Sequence, residues 1–157
     1  EAANIIPRET RGDFMVRAGT AERLEELLGK VRNCFEAGAL ATGCTLEIEV
    51  DTAYTDLRHD SELAALYQKH AESLGRKFVE PPAPVSTDMG NVSHEVPTIH
   101  PFIGVESHGA VPHQEAFADA CATPSADKAV FDGALGMALT VIDMATDPAL
   151  RDRLLAK

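Results

Sequence analysis

The stretch that decides the fold spans residues 20–50 and reads TAERLEELLGKVRNCFEAGALATGCTLEIEV. Thr20 is a favourable helix N-cap, Glu22 places an anion in the first turn, and Gly43 is a helix stop signal. The apolar residues between them recur at the helical period: Leu24, Leu27, Leu28, Val31, Cys34 and Phe35. This spacing predicts an amphipathic helix that packs along one face.

The pattern changes from helical to alternating immediately after Gly43. Leu46, Ile48 and Val50 fall on one side of residues 44–50, with polar side chains between them, as in a half-solvated strand. Further strands are predicted at residues 4–7, 13–17 and 101–105. Strand, helix and strand in this order predict an α/β fold in which the helix covers an antiparallel or mixed sheet.

The rest of the chain predicts three more helices and one connector. Asp60 or Ser61 can cap a helix that ends at Gly75, and Ser125 can cap a long helix. Asp147-Pro148 has the N-cap and N1 arrangement of a final short helix. The prolines at 81, 82 and 84 forbid a helix between residues 78 and 85 and favour an extended crossing.

Composition limits the partners and the compartment. The chain has 157 residues and a formal net charge of -11, which argues against nucleic acid and anionic membrane surfaces as partners. Three cysteines without a CxxC spacing favour a reducing cytoplasm. Asp143 interrupts the longest apolar run, residues 133–145, so no membrane anchor is predicted. The start, Glu1-Ala2-Ala3, has no initiator Met and no signal sequence, so we expect the latter part of a larger protein.

The candidate site lies in one loop-rich segment, which begins with STDMGNVS at residues 86–93 and includes three histidines, His100, His108 and His113. Polar side chains in loops carry binding and catalytic functions disproportionately. Asp88 and Asn91 flank Gly90, but turns are rich in Asp and Asn regardless of function. His113 is the candidate metal ligand, whereas His100 can as easily satisfy a backbone carbonyl as bind substrate. With no HExxH, HxD or HxC pattern, the chain could supply at most half of a metal site.

Several short motifs together resemble the C-terminal part of the M20 metallopeptidase family. The branch that the chain most resembles includes aminoacylase-like, aminobenzoyl-glutamate and β-alanyl dipeptide hydrolases. The motifs, in order, are NIIP at 4–7, Arg17, Ala53-Tyr54, STDMGNVS at 86–93, VPTIHP at 96–101 and PHQEAF at 112–117. Their order and spacing carry the resemblance, since each motif is short.

The resemblance implies a βαββαβ ferredoxin-like lid that dimerises and is inserted into an α/β catalytic domain. Residues 1–59 would form the second half of the lid, and residues 60–157 the C-terminal segment of the catalytic domain. The complete family site holds two divalent metal ions, Zn or Mn. The expected reaction is hydrolysis of an amide bond in an N-acyl amino acid or a small dipeptide-like substrate.

The resemblance also assigns residues to the site. Asn4 and Arg17 would bind the carbonyl oxygen or terminal carboxylate of the substrate, with Asp88, Asn91 and His100 lining the site. His113 would be the last metal ligand. No catalytic residue falls within the chain, because the general-base glutamate and the other ligands would precede Glu1. We therefore expect this chain to be inactive without its missing N-terminal part; the alternative is a non-catalytic dimerisation or binding module.

Overall fold

A computed structural model describes residues 4–51, 54–79 and 86–156. Six α-helices lie in these ranges: α1 (Ala21–Thr42), α2 (Ser61–Ser73), α3 (Met89–Ser93), α4 (Glu115–Ala120), α5 (Pro124–Thr146) and α6 (Pro148–Leu155). The chain divides into two compact units, the first up to Asp56 and the second from Leu57. This division does not test the assignment of 1–59 and 60–157 to a lid and a catalytic segment, which stays a prediction.

The predicted α/β fold with a βαββαβ lid is wrong, because the described residues are helical and contain no strand. Residues 4–7, 13–17, 44–50 and 101–105 have no strand assignment, despite their apolar content. Alternating apolar and polar residues indicate only that successive side chains suit opposite faces. A strand also needs a neighbouring strand to which its backbone can hydrogen-bond. The described residues supply no such neighbour. The predicted proline connector falls mainly on residues 80–85, and Ala53 on another gap, outside the described residues.

The first unit is built on α1, whose predicted ends are confirmed. The Thr20 side chain accepts a hydrogen bond from the Arg23 N–H at 3.2 Å. Gly43 ends the helix in the left-handed region at φ 68°, where glycine avoids the Cβ clash. The rings of Phe14 and Phe35 lie 4.9 Å apart between centroids. No described residue of this unit is buried, so its apolar side chains stay partly in water.

The second unit has its core where α2 packs against α5. Leu63, Tyr67 and Ala71, four residues apart, form the buried row of α2. The buried residues of α5 are mostly small: Ala126, Ala129, Asp132, Gly136 and Thr140. A Cβ on Gly136 would lie 3.1 Å from Cε2 of Tyr67, so the tyrosine ring sits directly on the glycine. Burial raises the pKa of Tyr67 despite the nearby Arg76 guanidinium.

The long helix α5 begins two residues earlier than predicted. Thr123, rather than Ser125, is the N-cap, and its side chain accepts from the Ala126 N–H at 3.4 Å. Pro124 occupies the first turn, where its missing N–H costs nothing. Ser125 instead accepts a hydrogen bond from the Glu106 N–H at 3.0 Å. The predicted start of the last helix is confirmed, with Asp147 capping α6.

Three carboxylates, each in contact with basic side chains, tie the second unit together. His70 on α2 meets Asp143 on α5, with Nε2 and Oδ2 2.7 Å apart. Asp132 on α5 accepts from Lys128 and from the Arg76 guanidinium, whose Nη1 also donates to the Gly104 carbonyl at 3.0 Å. The Lys128 and Arg76 hydrogen bonds lower the pKa of Asp132 against the opposing effect of burial.

The third carboxylate, Asp60, joins the start of α2 to α6. Arg153 donates two hydrogen bonds to the Asp60 carboxylate, at 2.7 and 2.9 Å, and lies 2.7 Å from Glu62. This bidentate pair is the largest cause that lowers the pKa of Asp60. Asp60 is also the N-cap of α2, because its side chain accepts from the Leu63 N–H at 3.0 Å.

Helix α5 is long and apolar enough to cross a bilayer, judged by length and composition alone. An 18-residue window within its 23 residues has a mean hydropathy of 1.4. Core helices of soluble proteins meet the same criterion, and α5 carries the buried Asp132 on its packed side. The absence of a membrane partner therefore stays a prediction from charge and sequence.

Candidate functional site

The STDMGNVS segment forms one turn of helix instead of the predicted turn. Asp88 occupies the N-cap of α3 but makes no side-chain capping hydrogen bond. Asp88 and Asn91 are both exposed, whereas Gly90 between them is buried. The small Gly90 lets this turn lie against the protein while the two polar side chains reach the surface.

His100 is held beside this segment by Thr87, a member of the STDMGNVS motif to which the sequence assigned no role of its own. Its Nδ1 is hydrogen-bonded to the Thr87 hydroxyl at 3.2 Å. The ring also stacks on Phe102, with centroids 5.4 Å apart and planes 6° from parallel. These two contacts fix the orientation of the half-buried His100 ring. Nδ1 is the nitrogen that bonds to Thr87, and Nε2 is the second ring nitrogen.

Ser93 anchors the same segment to the start of α2. Its hydroxyl accepts from the Arg58 N–H at 2.9 Å and donates to the Gly90 carbonyl at 2.6 Å. Two residues further on, the Asp60 N–H donates to the Thr98 carbonyl at 2.8 Å. Residues 57–60 thus connect α3 to residues 94–100, the segment that leads to His100. Asp88, Asn91 and His100 therefore belong to one hydrogen-bonded part of the second unit.

His113 lies in a separate turn just before α4. It is exposed and has a left-handed backbone with φ 72°, which is uncommon for a residue with a side chain. The Gln114 side chain closes this turn by accepting from the Val111 N–H at 3.2 Å. His108 also has a positive backbone φ, of 51°. Among the described residues, no hydrogen bond links His113 to the Thr87–His100 pair.

An open groove of about 780 Å³ runs next to this turn. Polar residues from three places line part of it: Ser107, His108, Gln114, Asp119 and Ser125. Gln114 connects the groove to the His113 turn. The groove is therefore accessible to a small polar molecule, and its walls offer hydroxyl, amide, imidazole and carboxylate groups.

The part of the chain that the structure describes does not by itself form a metal site. It contains no group of three or more His, Cys, Asp or Glu side chains placed to hold an ion. A zinc site needs three or four protein ligands at about 2 Å. His113 alone is too little, so these residues do not fit a self-contained metal centre.

Asn4 and Arg17 belong to the first unit and are exposed. The five predicted substrate-binding residues are thus divided between the units, two in the first and three in the second.

Sequence reasoning missed Thr87 and Ser93, which position the site segment. Hydroxyl residues are common in turns, so the residue type gave no signal. Their partners, His100 and Arg58, lie 13 and 35 positions away. Only the three-dimensional structure reveals such pairs.

Two curated relatives match almost the whole chain. The Xaa-Arg dipeptidase of Mus musculus is 34% identical over 153 residues, which cover 94% of this chain. The Xaa-Arg dipeptidase of Homo sapiens is 33% identical over 153 residues, again 94% of this chain. The chain spans 35% of the length of each relative. No protein-family model and no solved structure matches the chain.

Proposed function

We propose that this chain is part of a peptide-bond hydrolase, a dipeptidase that acts on small dipeptides ending in arginine. The observation that carries the proposal is the identity of 34% and 33% to two Xaa-Arg dipeptidases over 94% of the chain. The resemblance of the short motifs to M20 hydrolases is a second source of support. It supports the same reaction, hydrolysis of an amide bond in a small substrate.

Charge supports a cationic substrate. The net charge of -11 creates a field that favours approach of an arginine side chain. The substrate carboxylate would bind Arg17, whose planar guanidinium can donate to both oxygens. Asn4 would donate its side-chain amide to a carbonyl oxygen of the substrate. Arg17 and Asn4 are thus the proposed recognition residues of the first unit.

The second unit would present Asp88, Asn91 and His100 to the substrate. Because the Thr87 hydroxyl holds Nδ1 and Phe102 stacks on the ring, Nε2 of His100 is the nitrogen proposed to meet the substrate. Thr87 is a positioning residue in this scheme. Thr87→Val should therefore raise KM more than it lowers kcat, and Thr87→Ser should restore KM by returning the hydroxyl.

His113 is proposed to donate one ligand to a divalent metal whose remaining ligands lie on other polypeptide. The described residues form no metal site by themselves, so this chain alone should bind metal weakly and should not hydrolyse peptides. The general base is likewise proposed to come from outside these residues. The function therefore belongs to a larger assembly to which this chain contributes substrate contacts and one ligand.

The test is a chimera in which this chain replaces the matched segment of the mouse relative. Hydrolysis of alanyl-arginine is measured for the chimera, for the mouse parent and for His113→Ala in the chimera. His59→Ala is the matched control, because His59 is an exposed histidine of the second unit that does not line the groove beside His113. We expect an active chimera that loses at least about 100-fold in kcat/KM with His113→Ala and little with His59→Ala.

A folded chimera that cleaves no dipeptide would overturn the proposed function. Equal losses for the two histidine variants would remove His113 from the proposed site. Dipeptides that end in glutamate serve as the specificity control, since Arg recognition predicts slower cleavage of an acidic residue.

A non-catalytic dimerisation or binding module is the second candidate. Two observations favour it: the described residues contain no metal-ligand cluster, and no described residue of the first unit is buried. A module of this kind would gain its core from a partner, including a second copy that pairs through the first unit. Sedimentation mass measured across a dilution series distinguishes the two, because a tight dimer without metal favours the module.

A further inference from the structure

We propose that the exposed side of α5 is an internal packing face for further polypeptide of the same folded protein. Five large side chains form this surface, here called the outer stripe: Val130, Phe131, Met137, Val141 and Ile142. The proposed occupant is an uncharged aliphatic or aromatic surface from chain segments of the kind that make up the rest of the two relatives. The proposal concerns packing and does not depend on the reaction.

The outer stripe is exposed to an extent that is unusual for such residues. Val130 and Phe131 are 71% and 68% exposed, and the other three lie between 52% and 59%. Their positions repeat at 7 and 11 residues, so they share one side of the helix along three turns. Together they present roughly 500 Å² of apolar surface, as large as the main patch of a typical monomer, which commonly marks an interaction site.

The apolar and polar side chains of α5 lie on the opposite sides from those expected of a helix packed on one face. The side that contacts α2 is made of small and polar residues, including Asp132, Gly136 and Thr140. The side that faces solvent carries the five large apolar residues of the outer stripe, whereas Leu135, Leu139 and Met144 are half-buried. An ordinary surface helix shows the opposite distribution. The inversion indicates that α5 lies between two layers, of which α2 is one.

No charged side chain interrupts the outer stripe. Between Val130 and Ile142 the only ionisable residue is Asp132, which is buried on the inner side and paired with Arg76. A helix surface that stays in contact with water usually carries charged side chains within a stretch of this length. A continuous uncharged stripe matches a permanent contact that excludes water.

Two other occupants fit less well. A stable homodimer interface needs about 800 Å² from each subunit, more than this stripe provides, and two copies would each bring a net charge of -11. A bilayer would have to accommodate the buried Asp132 and its ion pair with Arg76 on the inner side of the same helix. Polypeptide from a larger fold requires neither.

The relatives supply the length that this occupant requires. The matched region is only 35% of each relative, so the counterpart of α5 is embedded in a chain about three times as long. A domain buries a larger fraction of its surface as it grows, so a helix half-covered here gains its second layer in a longer chain.

The test measures how fast a cysteine on the stripe reacts with a maleimide. Cys34, Cys44 and Cys121, all exposed, are first replaced by serine. Val141→Cys then reports on the stripe, and Gln68→Cys on the exposed side of α2 is the matched control. Both are labelled in the 157-residue chain and in the chimera with the mouse relative.

We expect Val141→Cys to react rapidly in the 157-residue chain and at least about 100-fold more slowly in the chimera. Gln68→Cys should react at similar rates in both proteins. Equal rates for Val141→Cys in the two proteins would overturn the proposal. Protection in the 157-residue chain that grows with concentration would assign the stripe to a second copy. Protection that needs phosphatidylcholine vesicles would assign it to a membrane.

A second measurement tests the proposal if the chimera does not fold. The chain and the remaining part of the mouse relative are co-expressed as separate polypeptides and purified through a tag on one of them. Co-purification should be retained by Gln68→Asp and lost by Val141→Asp; if both variants behave alike, or if the parent pieces do not associate, the proposal is wrong. Because neither readout depends on hydrolysis, a protected stripe in an inactive chimera would overturn only the proposed function.

Discussion

Replacing Asp60 by alanine should destabilise the second unit by about 2 kcal/mol, because one carboxylate stabilises two helices. Its Oδ1 caps α2 through the Leu63 N–H, and both oxygens accept from Arg153 on α6. Loss of an N-cap costs about 1 kcal/mol, and loss of a charge-assisted hydrogen-bonded partner costs a similar amount at this half-exposed site. Asp60→Asn keeps a capping oxygen but loses the charge, so about half of this cost is expected.

The assay is thermal and urea unfolding at pH 7, followed by far-UV circular dichroism. A loss of about 2 kcal/mol corresponds to a fall in Tm of roughly 4–8 °C for a chain of this size. Arg153→Met removes the charge and keeps much of the apolar stem, so it isolates the ion pair. The double variant Asp60→Asn, Arg153→Met should lose less than the sum of the two single variants. An Asp60→Ala variant with unchanged Tm, or strictly additive losses, would refute the reasoning.

Three further predictions concern pH and backbone packing. Asp60 and Asp132 have pKa values lowered from 3.8, so their stabilisation is complete above that value and is lost as the pH falls through the lower folded-state pKa. The contribution of these two groups to the free energy of unfolding should therefore be constant between pH 5 and 8 and should decrease below about pH 4. Urea titrations at each pH measure it, and the decrease should be smaller in Asp60→Asn. Gly136→Val should cost about 1–3 kcal/mol, because even a Cβ would lie 3.1 Å from Tyr67, whereas Gly29→Ala, with open space around it, should be neutral or stabilising in the same urea assay. Gly43→Ala should cost about 1 kcal/mol at its φ of 68°, seen as faster amide exchange in the last turn of α1; unchanged exchange would contradict this account of the cap.

The helices could be predicted from sequence because their signals are local. Thr20 and Gly43 bound α1, and Asp147 with Pro148 starts α6, within a few residues of the groups that they satisfy. The start of α5 was misplaced because Thr123 and Ser125 are both acceptable caps, and the following Pro124 favours the earlier one. Such errors are small and concern competing local choices.

The strands could not be predicted reliably for a different reason. The alternation at residues 44–50 is real, but strand formation depends on a neighbour that local sequence does not specify. In the described residues that neighbour is absent, and the segment forms no ladder. The inference failed at the step from side-chain pattern to backbone pairing.

The site was predicted as a set of residues but not as an arrangement. Sequence placed Asp88, Asn91 and His100 in one segment, and in the structure the Thr87 hydroxyl lies within hydrogen-bonding distance of both Asp88 and His100. The left-handed backbone of His113 has no local signature, because the usual residue at such a position is glycine. The roles of these residues in binding, and of His113 in holding a metal, stay predictions.

The measurement that tests the central claim most directly is alanyl-arginine hydrolysis by three proteins side by side: the chimera, the mouse relative and the 157-residue chain. If the chain contributes part of a dipeptidase, the chimera should cleave the dipeptide and the isolated chain should not. Hydrolysis by the pure isolated chain, or a folded chimera without activity beside an active mouse parent, would contradict the account.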